Sequence, residues 1–130
     1  MKTVFFDLEN MDNPANGSDI SEPEEIQVLF DKLRFGKPFI CELESEDGYT
    51  LTLGLGSDTG CARYAYADGV EPFWLAIGDG SIKGDHVFYQ DGQPITMVDR
   101  YCLPYDMVKS VAMYFIETGK QCPDVRWETV

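Results

Sequence analysis

Apolar and polar positions follow two periods along this chain, and the change of period divides it. "TVFFDL" near the start reads as an opening strand, and the polar, turn-rich "ENMDNPANGSD" after it reads as a loop. In "SEPEEIQVLFDKLRF" the apolar residues Ile26, Leu29, Phe30 and Leu33 share one helical face. Ser21 stands where it can cap that helix, with Glu24 reaching back to it and Pro23 tolerated in the first turn. Gly36 and Pro38 end it. A cap of this kind contributes about 1 kcal/mol.

From Phe39 to Arg100 the period becomes two. "FICELES" alternates and turns through Asp47-Gly48, a strong hairpin signal, into "TLTLGLG". "CARYAYA" and "PFWLAIG" are joined around Asp68-Gly69, and "HVFYQ" and "PITMVDR" around Asp91-Gly92. The succession predicts a largely antiparallel meander. Helical spacing returns in "LPYDMVKSVAMYFIETGK". There Met107, Val108, Val111, Ala112 and Phe115 form a stripe, Pro104 suits the first turn and Gly119 the left-handed stop. "VRWET" follows as a final strand. The expected fold is α+β: one domain over residues 1–130, with a single twisted, mostly antiparallel sheet and two helices.

Composition adds one unusual number. The 130 residues carry 23 acids and 10 bases, a formal net charge of −13, together with 8 Phe and 7 Tyr. The aromatic content is that of a chain with a packed core, which argues against disorder. The charge repels nucleic acid and anionic membrane and attracts basic partners. The opening apolar run, Val4 to Phe6, is too short for a signal-peptide core, and no segment is long and apolar enough to span a bilayer. Cys41, Cys61, Cys102 and Cys122 show no Cys-x-x-Cys spacing, so the expectation is a cytoplasmic protein with free, mostly buried thiols.

Candidate chemistry is sparse. "GLGSDTG", Gly54 to Gly60, has the glycine density of a phosphate-binding loop, but β-like alternation follows it where a helix N-terminus is required. It also carries Asp58, which repels phosphate, and it lacks Gly-Lys-Ser or Gly-Lys-Thr. It reads as a tight turn between strands that presents Asp58 outward. Cys61 or Cys102 with His86 supports a thiol triad by composition only. A zinc deaminase needs His-x-Glu, whereas His86 precedes Val87 and Phe88. Paired carboxylates abound by chance among 23 acids, none in a recognisable glycosidase context, and no metal or cofactor motif is present. The expectation is no enzyme, no cofactor and no metal site.

Recognition remains. Asp47, Asp58, Asp68, Asp79, Asp85 and Asp91 sit in the turns, mostly beside glycine, where aspartate is also good turn chemistry. Together they edge the sheet with negative charge near Tyr64, Tyr66, Phe73 and Trp74. Acidic loops around aromatic anchors suit the capture of a basic protein.

Three stretches carry a family resemblance: "GYTLTLGLGSDTGCARYAYADG", "PFWLAIGDG" and "RYCLPYDMVKSVAMYFIETGKQCPDVRWETV". They resemble immunity family one of bacterial polymorphic toxin systems. The shared features are a Gly-Leu-Gly-x-Asp turn at Gly54 to Asp58 and a Tyr-Ala-Asp-Gly turn at Tyr66 to Gly69, tighter by two residues than the family's Tyr-x-x-Ala-Asp-Gly. Arg100, Pro104, Phe115, Gly119, Pro123, Val125 and Trp127 close the set. The resemblance runs from about Tyr49 to Val130 and is weak over residues 1–40. It implies a cytoplasmic protein that binds and inactivates a cognate toxin domain, often a nucleic-acid-directed one such as a deaminase.

On that basis the expected mechanism is occlusion of the toxin's substrate groove by an acidic surface. Asp58, Asp68, Glu71 and Asp79 would supply charge and Trp74 an aromatic anchor. The partner is the toxin protein, with no direct nucleic-acid or membrane contact, and self-association is left open. Two other readings stand beside it: a small enzyme using His86 and a cysteine, and an acidic scaffold or chaperone.

Overall fold

A computed structural model describes residues 2–130 of the chain. Among these residues one sheet of ten strands carries two α-helices. The strands are β1 (Thr3–Asp7), β2 (Ser18–Ile20), β3 (Phe39–Ser45), β4 (Tyr49–Leu55) and β5 (Thr59–Tyr66), then β6 (Phe73–Ile77), β7 (His86–Gln90), β8 (Gln93–Met97), β9 (Leu103–Pro104) and β10 (Arg126–Thr129). Helix α1 spans Pro23–Leu33 and α2 spans Tyr105–Thr118. The sheet is mostly antiparallel, with a main path β10-β6-β5-β4-β3-β1-β2 that ends in the short strands β10 and β2, while β7, β8 and β9 lie off it. The α+β expectation holds.

Alternation along the strands sends Phe5, Cys41, Leu43, Leu51, Leu53 and Ala62 to one face, where the helices pack. Ile26 and Phe30 of α1 and Val108, Val111, Ala112 and Phe115 of α2 are fully buried there, and Leu29, Leu33 and Met107 of the predicted stripes pack half-buried against them. Helix α2 stops at Gly119, whose φ of 73° is the left-handed conformation that glycine adopts without a Cβ penalty.

The meander expectation needs one correction. Strands β3 to β6 do form a meander, but β7 does not continue beside β6. It pairs with β8 and touches β3 in parallel at the single position Phe39 opposite Tyr89. The reason is the face the helices leave open. Phe88 must be buried, and it packs with Ile40 and Cys61 on that second face, joined by Leu8, Ile95 and Met97. The β7–β8 hairpin is therefore folded across the sheet.

Two local readings also shift. Ser21 is not the helix cap: Glu22 is, and the Glu25 carboxylate accepts from the Glu22 N–H at 3.1 Å and the Ser21 N–H at 3.3 Å. The pair three residues apart is one step later than read, because it places the two acids in register with the first free N–H groups. The loop after β1 ends in β2, a strand of three residues that gains its structure by pairing with β1.

The glycines of "GLGSDTG" have a packing role. Gly54 and Leu55 finish β4, and Thr59 and Gly60 begin β5. A Cβ on Gly60 would lie 2.3 Å from the Gly54 carbonyl oxygen and 2.7 Å from Cγ2 of Val108. One on Gly54 would lie 2.6 Å from Sγ of Cys61 and 2.9 Å from the Phe88 ring. Gly60 thus admits α2 on one face, and Gly54 admits the β7–β8 hairpin on the other.

Candidate functional site

Strand direction sorts the expected contact residues into two groups. Strand β5 runs from the β4–β5 turn to the β5–β6 turn, and β6 returns. Asp58 and Asp79 therefore lie at one end of the sheet, and Asp68, Glu71 and Trp74 at the other. The eight residues of β5 separate the ends by roughly 23 Å. The five residues do not form one patch.

At the first end Asp58 projects from its turn with its side chain 91% exposed, as the sequence predicts. Arg34 approaches its carboxylate at 3.8 Å and donates through Nε to the Ser57 carbonyl at 2.7 Å. The Arg34 guanidinium lies 3.6 Å over the Tyr105 ring, whose hydroxyl donates to Asp31 at 2.6 Å. That bond is the main cause holding the Asp31 carboxyl below its usual range. The turn is clamped to both helices, and part of its charge is balanced. Asp79 accepts from the hydroxyl and backbone N–H of Ser81, and these bonds hold its carboxyl low. It borders a cleft of about 390 Å³ shared with Met107, Asp124 and Arg126.

The second end is built differently. The turns β3–β4 and β5–β6 are tied together by the Ala67 N–H, which donates to the Gly48 carbonyl at 2.9 Å. Asp68 shapes its own turn by accepting from the Val70 N–H at 2.9 Å. Glu46, Asp47, Asp68 and Glu71 are all exposed in these two turns. Behind them lies an aromatic cluster. Tyr49 stacks on Tyr64 with ring centroids 5.1 Å apart, and Trp74 meets Tyr64 at 5.8 Å and Tyr66 at 5.9 Å. The rings floor an open basin of about 460 Å³, edged by Asp47, Gly119, Lys120 and Gln121. Tyr64 is buried and donates to the Gly119 carbonyl at 2.9 Å. Burial, helped by Tyr49 and Asp47, pushes its phenol up to about 12.

The model of the family described as Immunity protein Imm1 matches residues 15–129, from the loop before β2 to the last residue of β10. The chain belongs to the Imm1 immunity protein family. No curated protein sequence matches it. Membership in Imm1 gives the chain an immunity role and implies a cognate toxin protein as partner.

An Imm1 chain with a catalytic thiol would need an accessible, acidified cysteine. Here all four cysteines are free and buried. Burial pushes the Cys61 thiol up to about 12 and the Cys102 thiol up to about 11. Cys102 donates to the carbonyls of Val98 and Met97, while His86 lies near the Lys83 carbonyl at 3.3 Å. These thiols are packed side chains in their protonated form. Among the described residues no three His, Cys, Asp or Glu side chains are placed to share a metal ion, and no helix is long and apolar enough to cross a membrane.

For an immunity surface the second end adds Tyr49 and Gln121 to the residues read from sequence, and brings Asp47 of the acidic turns to the basin's rim. Tyr49 could have been found from hairpin register, since Asp47-Gly48 and Asp68-Gly69 place it opposite Tyr66. Gln121 carries no such signal, because it reaches the basin only through the turn that follows α2.

Proposed function

We propose that this Imm1 protein neutralises its toxin by stoichiometric occlusion in the cytoplasm, acting as one domain and turning over no substrate. The target is a nucleic-acid-directed toxin, a deaminase by family resemblance, whose basic substrate groove is filled by acidic turns in place of phosphates. The observation that carries this reading is the second end of the sheet, where two bonded turns set exposed carboxylates beside an open aromatic floor. Asp68, Glu71 and Trp74 make contact there. Asp58 and Asp79 act from the far end through the long-range field, which speeds encounter more than it slows release. Effective protection needs a Kd near 1 nM, about −12 kcal/mol, over roughly 800 Å² per partner.

Stopped-flow association with the purified cognate toxin at several salt concentrations tests this. Asp68→Lys with Glu71→Lys is expected to slow association and speed dissociation. Asp58→Lys with Asp79→Lys is expected to slow association alone. If neither pair alters association rate or its salt dependence, occlusion by an acidic surface is wrong.

A further inference from the structure

The aromatic basin is set apart by what does not cover it. This acidic chain places its few cations on its own rings: Arg34 over Tyr105, Lys37 at 4.0 Å over Tyr89, and Arg63 at 5.2 Å over Phe73. Among the described residues no such contact falls on Tyr49, Tyr66 or Trp74. Lys120 edges the basin without lying over a ring. Tyr66 keeps 38% of its surface exposed, and Asp47 stands at the rim. At the edge the side-chain amide Nε2 of Gln121 is buried and finds no hydrogen-bond partner among the described residues. Such a donor is costly unless something supplies an acceptor.

We propose that the basin receives an arginine side chain of the toxin. Its guanidinium lies against Tyr66 and Trp74 and pairs with Asp47, while the Gln121 amide turns outward to donate to a main-chain carbonyl of the same segment. This rests on the reading of the protein as a direct binder of its toxin. Three features select the occupant. Aromatic faces attract cations, and Asp47 rejects anions and leaves a neutral guest without an ionic partner. A planar guanidinium stacks on rings and offers a fork of donors to a carboxylate, whereas an ammonium is a compact, strongly hydrated point charge. The orphan amide asks for a carbonyl, which a polypeptide brings with the side chain.

The test titrates ¹⁵N-labelled protein with acetyl-Gly-Arg-Gly-amide and with its uncharged citrulline analogue. The Trp74 indole N–H and the Gln121 side-chain amide should shift, with the arginine peptide binding about threefold to tenfold more tightly. Asp47→Asn, which keeps the turn, should remove most of that preference. Tyr66→Leu, at a half-exposed ring, should remove the shifts while Tm falls by only a few degrees and the rest of the amide spectrum stays in place. Equal binding of the two peptides, shifts elsewhere, or none at all overturns the proposal. That failure would leave groove occlusion standing, since occlusion is read on the toxin complex. An arginine-selective basin whose Tyr66→Leu variant binds toxin with unaltered affinity would overturn the basin's part in capture.

Discussion

Tyr49 and Tyr66 stand opposite each other across β4 and β5, their rings stacked with centroids 5.4 Å apart. The pair is the outer wall of the aromatic floor, and Tyr66 is its exposed member. Because packed aromatics act mainly on release, Tyr66→Ala should leave the association rate unchanged and speed dissociation from the toxin roughly tenfold, about 1.4 kcal/mol. Surface plasmon resonance on the complex reads both rates.

Gly60→Ala is a stability prediction on the opposite end of the same strand. The added methyl meets the Gly54 carbonyl oxygen and Val108, so β5 and α2 must move apart. The expected loss is about 2–3 kcal/mol, a fall in Tm on the order of 10 °C, measured by calorimetry.

The cap of α1 separates two neighbours. Glu25→Ala removes the carboxylate that accepts from the Glu22 and Ser21 N–H groups and should lower stability by about 0.5–1 kcal/mol. Ser21→Ala keeps the Ser21 N–H and should change the urea midpoint little.

Tyr64→Phe deletes the hydroxyl that donates to the Gly119 carbonyl and leaves that buried acceptor unpaired. A loss of about 1–2 kcal/mol is expected in urea unfolding, with the stacked rings preserved.

The cysteines give a pH prediction. Cys61 and Cys102 are pushed up from an ordinary value near 9 to about 12 and about 11, chiefly by burial, so the folded state favours the neutral thiol. A group raised on folding contributes stability that is full below its unfolded value and lost as pH rises through its folded value. Stability attributable to these thiols should therefore hold up to about pH 9 and decline through pH 11 to 12. Iodoacetamide at pH 8 should label them slowly in the folded protein and fully in guanidinium, as read by mass spectrometry.

Much of the fold was legible because periodicity and turn chemistry are local. Ile26 and Phe30 marked the buried face of α1, and Asp47-Gly48, Asp68-Gly69 and Asp91-Gly92 marked three hairpins. What escaped was non-local. Strand β2 buries only Ile20, so its pattern is too short to register. Phe88 showed that β7 had an apolar side, but only the bare glycine at position 54 explains where that side goes. The candidate site divides the same way. Asp58, Asp68, Glu71 and Asp79 look alike in the chain, and strand direction alone assigns them to opposite ends. Gln121 needed the closure of the chain after Gly119 to matter.

The sheet's margins have a further consequence. At the two ends of the main strand path, a strand of three residues and one of four offer few free backbone groups to a neighbouring molecule. Asp19 and Glu128 add charge there. Such borders are poor templates for edge-to-edge growth into fibrils. At these two borders, strand addition between neighbouring copies is thus disfavoured.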